Sequence, residues 1–383
     1  MLQLDTGNTG FMILCSSLVM LMTPGLAFFY GGLVGRKNVL AIMMQSFVSM
    51  GWTTVIWYVY GYSLCFSGDW HGIIGNLHNF CLRGVTLDTP SPNPTIPLIV
   101  FIAYQMMFAI ITPALISGAF TNRVTFKAYF WFLTAWLTFV YFPFVHMVWS
   151  PSGILNQWGV KDFAGAGLLW FGWYGFNAGS EFAVDKVTAS AFLNTDIAAS
   201  FAAIAWLLVA WSREDKPKFL GLLTGAVAGL ATITPAAGYV SPTTAVIIGL
   251  VAGIVCYFAV ELKNKLQWDD ALDVWGVHGI GGLIGILMLG LFADKAFNPA
   301  AGENGLFYGN PAFFGKQAVA VLFSSVWAFV FTFAMLKIIN IFTPVKVEGP
   351  AQEIGLDEVL HGEQAYEVEL LIESARAAVA GRK

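Results

Sequence analysis

The sequence predicts an all-α polytopic membrane protein, and three observations predict it. Charged residues make up 11% of the 383-residue chain and hydrophobic residues 57%, whereas ordinary soluble domains carry roughly 25% charged residues. Nine segments are apolar and long enough to cross a bilayer, and each needs a helix to satisfy its own backbone in lipid. Lys and Arg cluster in the short loops between segments, which is how cytoplasmic loops are marked. The formal net charge of −4 matters less than where the charges lie.

The spans follow in order. Residues 1–10 hold no Lys or Arg and so lack the basic start of a signal peptide. The first span, Phe11–Tyr30, is followed by Arg36 and Lys37. The second, Leu40–Tyr62, leads into a loop flanked by Cys65 and Cys81, whose placement permits a disulfide. Cys15 and Cys256 fall within apolar spans, and no Cys/His metal spacing is present. The third span, Ile96–Phe120, precedes Arg123 and Lys127, and the fourth is Ala128–Met147. Ala164–Gly179 is apolar but short, broken by Gly165, Gly167, Gly172 and Gly175. Next come Ala189–Trp211, followed by Arg213, Lys216 and Lys218, and then Phe219–Tyr239. Ala245–Leu262 precedes Lys263 and Lys265; Val274–Phe292 and Val319–Phe342 complete the set, with Lys346 after the last.

The five basic loops all lie inside only if the N-terminus is outside and an even number of crossings separates Lys127 from Arg213. The fourth span and Ala189–Trp211 already supply that even number. Ala164–Gly179 therefore makes no additional net crossing; it is re-entrant or part of an incomplete hairpin, so the chain has about nine full spans plus one partial span. Residues 1–343 form the transmembrane domain and 344–383 a cytoplasmic C-terminal tail. The tail holds more acids than bases, and Val368, Leu371, Ile372 and Ala375 form one apolar helical stripe. It is either a solvated appendage or a regulatory surface.

A few polar groups lie within the apolar spans. His278 sits in the run Asp273–Ala293, and an ionisable side chain at membrane depth is costly unless it faces protein or a pore. It either packs at a helix interface beside Gly279, Gly281 and Gly282, or lines a pore as a hydrogen-bond partner or proton relay. Tyr104, Gln105 and Phe108 lie on one span, Trp149 ends another, and Phe176 and Ser180 share a helix face. Such aromatic rings with a hydroxyl either hold a small cation or form the interfacial aromatic belt. Asp162 either orients a binding site or caps a helix, and Asp185, Lys186 and Asp196 read as solvated. No HExxH, GxSxG or phosphate-cradling loop is present, so the chain does not read as an enzyme, and no cofactor, metal or nucleic-acid partner is expected.

These residues lie in stretches that together resemble the ammonium transporter family, which includes methylammonium permeases and Rhesus proteins. The matching stretches are TPGLAFFYGGLVGRKNVL at 23–40, YQMMFAIITPALISGAF at 104–120, HMVWSPSG at 146–153, DFAG at 162–165, GWYGFNAGSEF at 172–182, TPAAGYVSP at 234–242, DVWGVHGIGG at 273–282 and EIGLDEVLHGEQAY at 353–366. They run in family order over nearly the whole chain. The resemblance implies a helical bundle with a pore in each subunit of a homotrimer. It places Trp149, Phe108 and Ser180 at the outer site that recruits ammonium, with Tyr104 beside them and Asp162 supporting from behind. It makes Phe108 and Phe176 the two rings of the pore gate, Trp173 a pore-wall aromatic, and His278 the second of two paired pore histidines. It implies uptake of ammonium across the plasma or inner membrane as ammonia, with or without its proton. It also implies a tail that couples subunits and, in prokaryotes, commonly a PII-type partner at the cytoplasmic face. The alternatives are an ammonium sensor or a non-conducting subunit that uses the same vestibule.

The chain departs from the family at one place. After DFAG the family continues through a full span bearing the first pore histidine, a basic loop and half of the next span. Here Gly165 runs directly into AGLLWFGWYGFNAGS, so roughly forty residues are absent, judged from span and loop lengths. The partner of His278 is among them. Either the sequence omits residues that the protein has, or the protein is truly shortened. A deletion of that size should open a lipid-exposed cleft, which favours the former.

Overall fold

The computed structural model describes residues 2–162, 170–214, 216–299 and 302–366. Among these residues nine helices are long and apolar enough to cross a membrane, one for each full span read from the sequence. The first is α1 (Thr6–Leu33), which starts where the Asp5 carboxylate accepts the Asn8 backbone N–H at 2.7 Å. The second span is α2 (Val39–Ile56), a π-helical turn over Trp57–Gly61, and α3 (Tyr62–Phe66). Helix α4 covers Leu98–Phe120. The fourth span joins α5 (Phe126–Trp136) through a second π turn, Leu137–Tyr141, to α6 (Phe142–Trp149), with short α7 (Ile154–Trp158) beyond it.

Helix α8 (Trp170–Ala178) has nine residues. It lies in the described part of the Ala164–Gly179 stretch. The earlier part of Ala164–Gly179, including the join at Gly165–Ala166, lies outside the described residues, as does the stripe over 368–375. The remaining helices are α9 (Lys186–Arg213), α10 (Phe219–Ile233), α11 (Pro242–Lys265), α12 (Ile280–Phe292, entered through a third π turn, Trp275–Gly279), α13 (Pro311–Phe342) and α14 (Gly349–Ile354).

Several expectations need correction. The sixth span ends as an α-helix at Ile233, not Tyr239, because Pro235 in the 3-10 turn that follows has no N–H to continue the ladder. The last begins at Pro311, before Val319, capped by Asn310, whose side-chain oxygen accepts the Phe313 N–H at 3.2 Å. Cys65 and Cys81 are both free; the buried Cys65 thiol points to the Phe142 carbonyl at 3.8 Å. Asp185 is the N-cap of α9, closed by a capping box with Thr188. Asp196 accepts from Trp170 Nε1 at 3.1 Å and Tyr174 Oη at 2.5 Å, so it ties α8 to α9 rather than facing solvent.

Helix α8 sits between α1 and α9. Its glycines permit that approach: a Cβ on Gly172 would stand 2.1 Å from Met22 Cγ. Helices α10 and α11 close on α9 in the same way, since a Cβ on either Gly229 or Gly249 would lie 2.5 Å from the Ala198 carbonyl oxygen.

The start of the tail docks on the bundle. Thr125 N–H donates to Val345 O at 3.0 Å, and Val347 N–H to Arg123 O at 2.7 Å. The buried Asp357 carboxylate accepts the N–H groups of Leu40 (3.0 Å) and Ala41 (2.7 Å) at the start of α2. Asn38 Oδ1 accepts Leu356 N–H at 2.8 Å, and the Lys37 ammonium donates to the Glu353 carbonyl. A solvated appendage does not describe this part of the chain.

Candidate functional site

At the end of the bundle opposite the docked tail, α4, α6 and the end of α8 surround a cavity of about 280 Å³. Its wall includes Phe108, Trp149, Ser180, Asp162, Gln105 and Glu181. Phe108 and Phe176 are stacked, with centroids 4.2 Å apart and planes at 27°. Trp149 meets Phe108 edge-on at 5.8 Å. Phe176 is fully buried and is not part of the cavity wall; it stacks on Phe108, which is.

Ser180 donates to the Phe176 carbonyl at 2.8 Å. Its proton is thereby spent, and its lone pairs remain available to accept. Gln105 is nearly buried, and its Oε1 has no partner among the described residues. Two neutral oxygen acceptors and two aromatic faces therefore meet at one cavity, a combination suited to a small cation that donates hydrogen bonds.

Tyr104 is placed differently from a recruitment residue. It is fully buried, and its hydroxyl lies 3.0 Å from Gly175 O, 2.8 Å from Phe176 O and 3.3 Å from Ser180 Oγ. It fixes the end of α8 from behind rather than lining the cavity. Gly179 allows this, since a Cβ there would stand 2.7 Å from Tyr104 Oη. Trp173 is also fully buried; it packs on Phe176 at 5.9 Å and donates to Thr234 Oγ1 at 2.6 Å.

His278 stands in the π turn that opens its span, not halfway along it. Ala271 N–H donates to Ala119 O at 3.3 Å, which puts this entry at the tail end of the bundle. The ring is half-buried, and Nδ1 is closed off without a partner among the described residues. A Cβ on Gly282 would meet nothing within 4 Å, and one on Gly279 only Trp275. Gly276 is tightly packed, as a Cβ there would lie 2.6 Å from Val260 Cγ2. The turn is held by groups that sequence reasoning gave no role. Asp270 accepts the N–H groups of Val274 (3.1 Å) and Trp275 (2.8 Å), while Lys263 Nζ bonds Asp270 O (2.9 Å) and Asp273 Oδ1 (2.5 Å). Burial pushes the Asp270 carboxyl above its ordinary pKa, against those two N–H groups.

Glu181 was also missed. It follows Ser180 directly, and that adjacency was the available signal. Burial first, and then the charge of Asp185, push its pKa up to about 7.

Comparison with known proteins agrees with this arrangement. A model of the Ammonium Transporter Family matches residues 10–168 and 165–366. An ammonium transporter of Bacillus subtilis is 41% identical over 404 residues, covering 95% of this chain and 99% of that protein. That alignment is longer than the 383 residues present here, so the relative carries residues without a counterpart. The family match breaks at 165–168, where the sequence departs from the family pattern. The crystal structure of Saccharomyces cerevisiae Mep2 superposes with a TM-score of 0.88 at 31% identity, covering 96% of this chain and 92% of that one. A structure described as a sensor Amt protein superposes with a TM-score of 0.84 at 25% identity, covering 92% and 98%.

Proposed function

The chain belongs to the ammonium transporter family, a family of multi-pass membrane transporters rather than enzymes, and from that premise we propose that it takes up ammonium through a phenyl-gated conduit. Ammonium enters the cavity at Trp149 and Phe108 and donates to Ser180 and Gln105, with Asp162 on the same wall and Tyr104 holding the end of α8. Sodium and potassium donate no hydrogen bonds, so those acceptors favour ammonium. Phe108 and Phe176 bar a hydrated ion, because carrying a full charge through an apolar passage is costly. Ammonium can surrender its proton, which potassium cannot, and pass as ammonia along the Trp173 wall. His278, near the tail end, accepts or relays a proton. The N-terminus lies outside and the docked tail in the cytoplasm of a plasma or inner membrane. The working assembly is a homotrimer whose tail couples subunits and offers a surface to a PII-type protein.

The observation that carries this reading is an aromatic cavity in which Phe108, stacked on the buried Phe176, stands with Trp149, Ser180 and Gln105, whose Oε1 has no partner among the described residues. It is tested with His278→Ala in reconstituted liposomes. Methylammonium uptake is expected to fall by about tenfold or more, as for loss of a positioned proton acceptor; unchanged uptake and selectivity overturn the role given to His278. A second reading, a non-conducting subunit, is favoured by one observation: the unpartnered Nδ1 of His278 beside open space at Gly279 and Gly282.

A further inference from the structure

Glu181 stands apart from the recruiting groups named above. It lines the same cavity, one residue beyond Ser180, at a bend that Phe182 closes in the left-handed conformation (φ 57°). The bend is held from outside, because Asn93 Nδ2 donates to the Phe182 carbonyl at 2.9 Å and the Phe182 ring packs on Phe101 and Tyr104 at 5.3 and 5.4 Å. These contacts fix the backbone that presents Glu181 to the cavity wall. Among the described residues of that wall, Lys161 is the one base, against the two carboxylates Asp162 and Glu181.

We propose that Glu181 sets the affinity of this vestibule for its cation and makes that affinity fall as the medium becomes acidic. A carboxylate in a cleft with low-dielectric walls concentrates cations there, by about tenfold or more. The inference rests on the vestibule assigned under the transport reading, but it concerns binding alone and does not require conduction.

The physical basis of the acid dependence is the cost of a charge in a partly buried wall. That cost, reinforced by Asp185, puts the change of charge near pH 7. The other titratable and charged groups around the bend are Lys161 and Asp162 across the cavity, Tyr239 at the turn after α10, Tyr104 on α4, Asp185 and Lys186 at the start of α9, and Asp5 at the foot of α1. Glu181 in turn helps to raise Tyr239, after burial and together with Asp162, so Tyr239 stays neutral where Glu181 titrates. Glu181 is the group whose charge changes there.

The test is scintillation-proximity binding of radiolabelled methylammonium to the purified full chain, from about pH 5.5 to about pH 8.5, a range in which the probe stays protonated. Wild-type affinity is expected to weaken by about tenfold on acidification. Glu181→Gln is expected to bind at the weak acid-side level throughout and to coincide with wild type at the acid end, which also verifies its fold. Glu181→Asp should restore the pH dependence. A Glu181→Gln profile that follows wild type, or a flat wild-type profile, overturns the inference. Binding with the expected profile but without uptake into liposomes overturns the transport reading and leaves this one standing.

Discussion

At the residue scale, the rings decide what the vestibule can hold. Trp149 and Phe108 meet in a T-shaped arrangement at 5.8 Å, and both line the cavity. A cation over a partly desolvated indole gains about 1 kcal/mol, which is near fivefold in affinity. Trp149→Leu is therefore expected to raise the half-saturating methylammonium concentration by about that factor with little change in maximal rate. An unaltered concentration curve would return this ring to the interfacial belt. Phe108, Trp149, Phe176, Ser180 and Asp162 could be singled out because they stand in stretches with a family pattern; the structure brings four of them to one cavity wall, with Phe176 stacked on Phe108. Tyr104 was legible as a neighbour but not as a positioning residue, because composition names a span without saying which side chains face inward. Glu181 was overlooked because an acid beside a loop reads as solvated until the fold encloses it.

At the element scale, the full spans were legible and their ends were not. Apolar length announces a crossing, but a π turn, a proline without an N–H or an Asn cap decides where the helix stops. The π turns at Trp57–Gly61, Leu137–Tyr141 and Trp275–Gly279 left no mark in the periodicity. Inserted residues of this kind shift helix faces and recur at functional sites, and His278 stands in the third. The docking of the tail was equally hidden, since Asp357 meets the start of α2 across more than 300 residues of sequence. There it acts as an N-cap supplied from afar, accepting two N–H groups that α2 leaves open. Asp357→Ala is expected to cost about 1 kcal/mol and to expose residues 344–361 to limited proteolysis while the bundle stays resistant. Equal protection in variant and wild type would show that the backbone pairing at Arg123 and Val347 holds the tail alone.

At the scale of the whole molecule, parity was the most informative reading. Loop charges lead to the expectation that Ala164–Gly179 adds no net crossing; its described part is the helix Trp170–Ala178. The family match is broken at 165–168, the place where the sequence departs from the family pattern. Near His278, Nδ1 has no partner among the described residues, and a Cβ on Gly282 would meet nothing within 4 Å. The cavity lined by Phe108, Trp149 and Ser180, by contrast, is formed among the described residues of α4, α6 and the end of α8. The account thus holds that selection at the aromatic vestibule and passage beneath it survive in this chain with one histidine. The direct test is uptake of radiolabelled methylammonium into liposomes reconstituted with this chain alone. Saturable uptake, competed by ammonium and not by potassium, is the expected result; uptake no greater than in protein-free liposomes, from protein shown to be folded and inserted, would contradict it.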